Sequence, residues 1–202
     1  MKISISGRLL LVLSSVLLLL GACRVPDDSY KTMNVRSNIA NFSFEYRTYY
    51  QDVEGPEVFG NDSIYVHIMA PKRKMSFPNP EPGINPDTLP LEYVPAYIGV
   101  AVFPNIPGSS AAKRIEAALS SEARWPDYKL LERSAVTVDG IRGELVAYQT
   151  NQISGPPVVY MANVYLDYGV FTWAFDVVAD FDLAETVRAD FYHVLRMFKV
   201  LK

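Results

Sequence analysis

Apolar and polar positions alternate at two periods along residues 42–202. Phe42-Ser-Phe-Glu-Tyr46 alternates as a strand with one buried face. Ser63–Ala70 repeats the pattern, with Ile64, Val66 and Ile68 on one side and Tyr65, His67 and Met69 on the other. Ala96–Phe103 is apolar at nearly every position, as in a strand covered on both faces. Leu130–Val138 and Ile141–Thr150 flank Asp139-Gly140, a two-residue link that favours a type I′ hairpin turn. Val158–Leu166 and Val170–Val178 predict a second hairpin through Asp167-Tyr168-Gly169. Its second strand aligns Phe171, Trp173, Phe175 and Val177 on one face, which reads as core.

Two stretches carry the helical period. Ser109 or Ser110 can cap a helix running to about Arg124, with Ala111, Ile115, Ala118 and Leu119 on one side. Pro126 ends it by disfavouring helix at Trp125. Asp182 and Glu185 resemble the capping box of a second helix, in which Leu183, Val187, Phe191, Val194, Leu195 and Phe198 form a wide apolar face. That face needs a sheet, and the Phe171/Trp173/Phe175 stripe is its expected partner. Tight hairpins require antiparallel neighbours. The predicted fold is therefore α+β, an αβα sandwich with a mainly antiparallel sheet covered by helices at about 109–124 and 182–198.

Two stretches break the pattern. Gln51–Asp62 is rich in Gly, Pro and acids and reads as a loop. Pro71–Pro95 holds seven of the chain's 14 prolines. Proline fixes φ and donates no backbone hydrogen bond, so this stretch is neither a central strand nor a helix interior. It reads as a long loop with polyproline character. Lys72, Arg73 and Lys74 open it, and Phe77 and Tyr93 lie within it. These five are the candidate partner-binding residues.

The N-terminus sets the location. Lys2 and Arg8 precede an apolar run, Leu9–Leu20, which as a helix spans roughly 18 Å. A bilayer core is about 30 Å thick, so the run suits a secretory signal better than a membrane span. Leu20-Gly21-Ala22-Cys23 resembles the lipobox of bacterial lipoprotein signals. The resemblance implies removal of residues 1–22, a diacylglyceryl thioether on Cys23 and acylation, for example by palmitate, of its new amine. Two or more acyl chains anchor a protein where one does not. Arg24–Asn41 is polar and without sustained period, so residues 23–41 read as a lipidated N-terminus and flexible tether. Arg24 follows the cysteine, and the family's inner-membrane retention signal is usually Asp. Display on the outer membrane is implied where the cell has one.

Composition narrows the function. Without residues 1–22, 17 basic and 22 acidic side chains remain, a mildly acidic balance unlike the basic field of a nucleic-acid binder. Cys23 is the single cysteine, so no disulfide forms within the chain. No HExxH, GxSxG, Walker or GxGxxG pattern occurs. His67 and His193 read as structural or surface residues, and Glu132 and Glu144 as solvated strand carboxylates. Asp176, Asp180, Asp182 and Glu185 cluster near the last helix and are weak candidates for an oxygen-ligated cation. Acids that favour a helix start explain most of that cluster without one. No cofactor is indicated.

The second half resembles a family. Val136–Tyr148 matches the strand-Gly-strand hairpin ending in Tyr of PsbP-like (Mog1/PsbP-type) domains. Gly169–Phe175 matches their next hairpin strand, and Phe191–Phe198 resembles their closing helix. The resemblance runs from about residue 42 to 202. It implies an αβα sandwich that serves as an accessory or docking module, with no catalytic residues. The expected function is a lipid-anchored, extracytoplasmic, non-catalytic module for a membrane-associated protein complex. A small-ligand or metal-ion-binding lipoprotein is the alternative, and it requires a concave pocket with converging polar groups. An enzyme would require ionisable groups with perturbed pKa values in a cleft.

Overall fold

The computed structural model describes residues 29–59, 62–74, 92–105, 107–124, 127–150 and 159–202. Twelve strands and two helices are defined in this part of the chain. In order they are β1 (Tyr30–Val35), β2 (Phe42–Arg47), β3 (Asp52–Phe59), β4 (Ser63–Met69), β5 (Arg73–Lys74), β6 (Glu92–Tyr93), β7 (Ala96–Pro104) and α1 (Ala111–Glu122). Then follow β8 (Lys129–Val138), β9 (Ile141–Thr150), β10 (Val159–Tyr168), β11 (Phe171–Asp180), a 3-10 turn (Phe181–Leu183), α2 (Ala184–Met197) and β12 (Lys199–Val200).

Seven strands form one antiparallel sheet in the order β3-β4-β7-β11-β10-β9-β8. A smaller sheet, β1-β2-β12, lies on one side of it together with α2. Helix α1 covers β9 and β10 on the other side. The fold is the expected α+β sandwich with a mainly antiparallel sheet.

The core lies between the large sheet and the α2 layer. Ile64, Val66 and Ile68 of β4, Ile98, Val100 and Val102 of β7, and Trp173, Phe175 and Val177 of β11 are all buried. Phe198 closes this layer against Trp173 at 5.3 Å and Phe175 at 4.9 Å between ring centres, and Phe42 meets Trp173 edge-on at 5.4 Å. The aromatic stripe does pack beneath the last helix. Asp190 is buried on the same helix, where Arg47 Nε lies 2.9 Å from it and Tyr50 donates a hydrogen bond at 3.0 Å. Burial keeps the Asp190 carboxyl above the usual range despite the Arg47 charge.

Both hairpin turns are confirmed, one of them shifted. Asp139 and Gly140 sit at φ 48° and 79°, the two positive angles a type I′ turn needs. The second turn falls on Gly169-Val170 rather than on Asp167-Tyr168-Gly169, with Tyr168 paired to Phe171. Ser110 caps α1 by accepting from the Lys113 amide. Asp182 does not cap α2, because the 3-10 turn intervenes and Leu183 takes the cap position.

Three segments fold where the sequence pattern was weak. Residues 30–41 were expected in the tether, but β1 pairs with β2 along its whole length. It is an edge strand, in which only Met33 and Val35 turn inward, so its apolar alternation is thin. Residues 51–62 were expected as a loop, but β3 is the opposite edge of the large sheet, with a bulge between Glu54 and Glu57 where Pro56 falls. Edge strands tolerate proline and bulges. The chain also continues past the last helix, and β12 pairs with β2.

Candidate functional site

The residues singled out from the sequence separate into three groups. Leu20, Gly21, Ala22 and Cys23 lie outside the described residues, as do Phe77 and the side chain of Lys74. Lys72 is exposed. Arg73 and Tyr93 pair across the β5–β6 ribbon and grip the end of β11. Arg73 Nη1 lies 3.4 Å from Asp180 and 3.0 Å from Asp182, and Tyr93 donates to Asp180 at 2.7 Å. That hydrogen bond holds the Tyr93 hydroxyl above its ordinary pKa. These two side chains fasten the base of the Pro-rich segment to the sheet.

The four carboxylates proposed as weak cation ligands do not gather. Asp180 and Asp182 face Arg73, Glu185 is exposed on the first turn of α2, and Asp176 lies further along β11. Among the described residues no group of three or more His, Cys, Asp or Glu is placed to hold a metal ion. Glu132 and Glu144 part as well. Glu144 meets Arg133, which also reaches Glu116 on α1. Glu132 accepts from Tyr192 and Arg188 of α2, and these bonds hold its carboxyl below the usual range against the opposing effect of burial. His193 stacks on Tyr30 at 3.9 Å, with Glu45 3.3 Å away.

One constellation does form, on the α1 side of the large sheet. Register builds it. Asp176 on β11 stands opposite Gly99 on β7 and Asn163 on β10, and Gly99 in turn stands opposite His67 on β4. The next row holds Tyr65, Ala101, Ala174 and Tyr165, and the row on the other side holds Tyr97, Val178, Met161 and Tyr148. Gly99, Ala101 and Ala174 leave a floor, and tyrosines at the ends of the two flanking rows raise walls. Helix α1 contributes Arg114, Ala117, Ala118, Ser121 and Glu122 along one side. The result is a cavity of about 590 Å³.

Glycine at position 99 is required for this floor. A Cβ there would lie 2.9 Å from Asp176 Cγ and closer still to its Oδ1. The cavity is electrostatically unusual. Burial pushes the Asp176 carboxyl up to about 6, against a hydrogen bond from the Tyr65 hydroxyl that is long, at 3.4 Å. Burial raises Tyr97 to about 12, with the Asp176 charge adding to it. Tyr65, Tyr148 and Tyr165 are raised for the same leading reason. Asn163 donates to the Tyr148 hydroxyl at 3.3 Å. Nε and Nη2 of Arg114 and Oε2 of Glu122 are buried without a hydrogen-bond partner among the described residues. Arg114 rests over the Phe103 ring at 4.6 Å.

Sequence reasoning placed Asp176 in the wrong company, with its chain neighbours. Tyr65, Tyr97, Tyr148 and Tyr165 were not singled out, because they sit on four strands far apart in the chain. A signal was present: a carboxylate in the middle of an otherwise apolar strand, and a Tyr-x-His alternation on the non-core face of β4.

No protein-family model matches the chain, and no curated protein sequence matches it. Solved structures do. Cyanobacterial PsbP (CyanoP) from Synechocystis superposes with a TM-score of 0.51 at 13% identity, covering 91% of this chain and 99% of that one. LpqN of Mycobacterium tuberculosis, a protein involved in cell envelope biogenesis, gives 0.42 at 10% identity, over 89% of this chain and 88% of its own. A protein of unknown function from Pseudomonas aeruginosa gives 0.41 at 16%, over 78% and 90%. Together with the antiparallel sheet and its two helices, the overlap with the cyanobacterial structure establishes a PsbP-like α+β fold.

Proposed function

We propose that this chain is a lipid-anchored, extracytoplasmic accessory module that binds a membrane-associated protein complex and carries out no catalysis of its own. The observation that carries the reading is Cys23, placed directly after Leu20-Gly21-Ala22 and the apolar run, and just ahead of the fold. β1 begins at Tyr30. Seven residues of extended chain reach about 25 Å at most, so acyl chains on Cys23 would hold the domain close to the bilayer. The tether enters through the small sheet, the layer opposite the tyrosine-lined cavity. No helix among the described residues is long and apolar enough to cross a membrane.

The fold supports the accessory role as a scaffold without a catalytic motif. Lys72 is free to meet the partner at the foot of the Pro-rich loop, while Arg73 and Tyr93 set the loop's position. Partner contact then falls to the loop beyond them, including Phe77.

The test is a pair of changes made in cells. Cys23→Ser should abolish labelling by a palmitate analogue and leave residues 1–22 uncleaved, seen as a larger mass on a gel. Deletion of residues 75–91 should leave the anchor and melting temperature in place but weaken in-cell cross-linking to membrane proteins. Wild-type chain recovered with an unmodified thiol removes the anchor, and unchanged cross-linking by the deletion variant removes the loop.

A further inference from the structure

The α1-side cavity contains polar groups that the fold itself leaves without partners among the described residues. Asp176 has no ion pair among the described residues, and its hydrogen bond from Tyr65 is long. The carboxylate is half-buried, on a floor that exists because position 99 lacks a side chain. A partly desolvated carboxylate without a cation carries a cost, and a structure that retains one leaves room for a positive partner. Arg114, a cation lining the same cavity, rests over the Phe103 ring and makes no ion pair with Asp176, although its own Nε and Nη2 are buried without a hydrogen-bond partner among the described residues. At the other end of α1, Glu122 Oε2 is a second buried acceptor without a partner among the described residues.

The walls match the floor. Tyr65, Tyr97 and Tyr165 stand in the rows on either side of Asp176. Aromatic faces attract cations through the ring quadrupole, and they accept methyl and methylene groups at the same time. Carboxylates at the base of aromatic walls suit an ammonium group carrying apolar substituents. They do not suit a hydrated inorganic cation, which needs several convergent oxygen ligands.

We infer that this cavity binds a small organic ammonium ion, its charged nitrogen on Asp176 and its hydrocarbon part against Tyr65, Tyr97 and Tyr165. The cavity lies on the sheet face opposite the layer that the tether enters, so an accessory module could carry such a ligand without disturbing its attachment.

Calorimetric titration of the full chain in detergent micelles tests this, with n-butylammonium and tetramethylammonium chlorides as probes. Sodium chloride at equal ionic strength and neutral n-butanol are the controls. Saturable binding of at least one ammonium salt is expected, without saturable binding of sodium or butanol. Asp176→Asn should weaken it by about tenfold or more, which is the loss of one charged contact. Tyr97→Leu, which keeps the carboxylate and removes one wall, should weaken it several-fold, and Asp182→Asn should leave it unchanged. Melting curves of each variant confirm that it is folded. No saturable ammonium binding by the wild type overturns the inference. So does equal affinity in a folded Asp176→Asn protein, or butanol binding as well as butylammonium.

Discussion

The two faces of the seven-stranded sheet are built from the same strands and serve opposite ends. On the α2 side, β4, β7 and β11 present Ile, Val, Phe and Trp, and these interlock with Phe42, Phe191 and Phe198. On the α1 side the alternate residues of those same strands are Tyr65, His67, Tyr97, Gly99 and Asp176. One face is dry and tightly filled. The other keeps a cavity, a carboxylate and four tyrosine hydroxyls. Side chains alternate across a strand, so a single sheet can assign stability to one side and leave the other open to polar chemistry.

The largest contrast is expected from truncation. Phe198→Ala removes the ring that touches Phe42, Trp173 and Phe175, and should cost about 3–5 kcal/mol in chemical denaturation. Tyr97→Ala, on the other face beside open space, should cost much less. Equal losses would erase the distinction between the faces.

The next effect has the opposite sign. The folded Asp176 carboxyl titrates near 6 rather than at its ordinary 3.8. A raised folded-state value means the folded protein holds this proton more tightly than the unfolded chain does. The resulting stability is present below about pH 4 and is lost as pH rises through 6. Asparagine carries no such loss. Asp176→Asn should therefore be more stable than wild type by about 1–3 kcal/mol at pH 7.5, with the difference vanishing near pH 4. Denaturant midpoints at the two pH values check it.

The smallest effect belongs to neither face. Arg73 bridges Asp180 and Asp182 near the surface, and exposed ion pairs contribute little. Arg73→Ala should change global stability by less than about 1 kcal/mol. It should still loosen the β5–β6 ribbon, seen as faster amide exchange at Glu92 and Tyr93.

The dry face was the more legible of the two from the sequence. A period-two aromatic stripe and a helix with six apolar residues on one side have few ways to satisfy each other, so Trp173, Phe175 and Phe198 could be paired in advance. The edges were harder to read. β1 carries polar residues at most positions and β3 contains Gly55-Pro56, so neither shows the apolar alternation by which interior strands announce themselves. The cavity was harder still. Asp176 attracted notice only as a neighbour of Asp180 and Asp182, yet β11 carries it away from both and toward Gly99 and Tyr65. Strand order and register make that juxtaposition, and both depend on pairings between residues far apart in the chain, as with Gly99 and Asp176.

The most direct test of this division of labour is carbon-13 NMR of the Asp176 side-chain carboxyl as a function of pH, assigned by comparison with Asp176→Asn. A carboxylate desolvated among tyrosines predicts a midpoint near pH 6. A midpoint near 4, the value of an ordinary solvated aspartate, would contradict it and return the α1 face to plain surface.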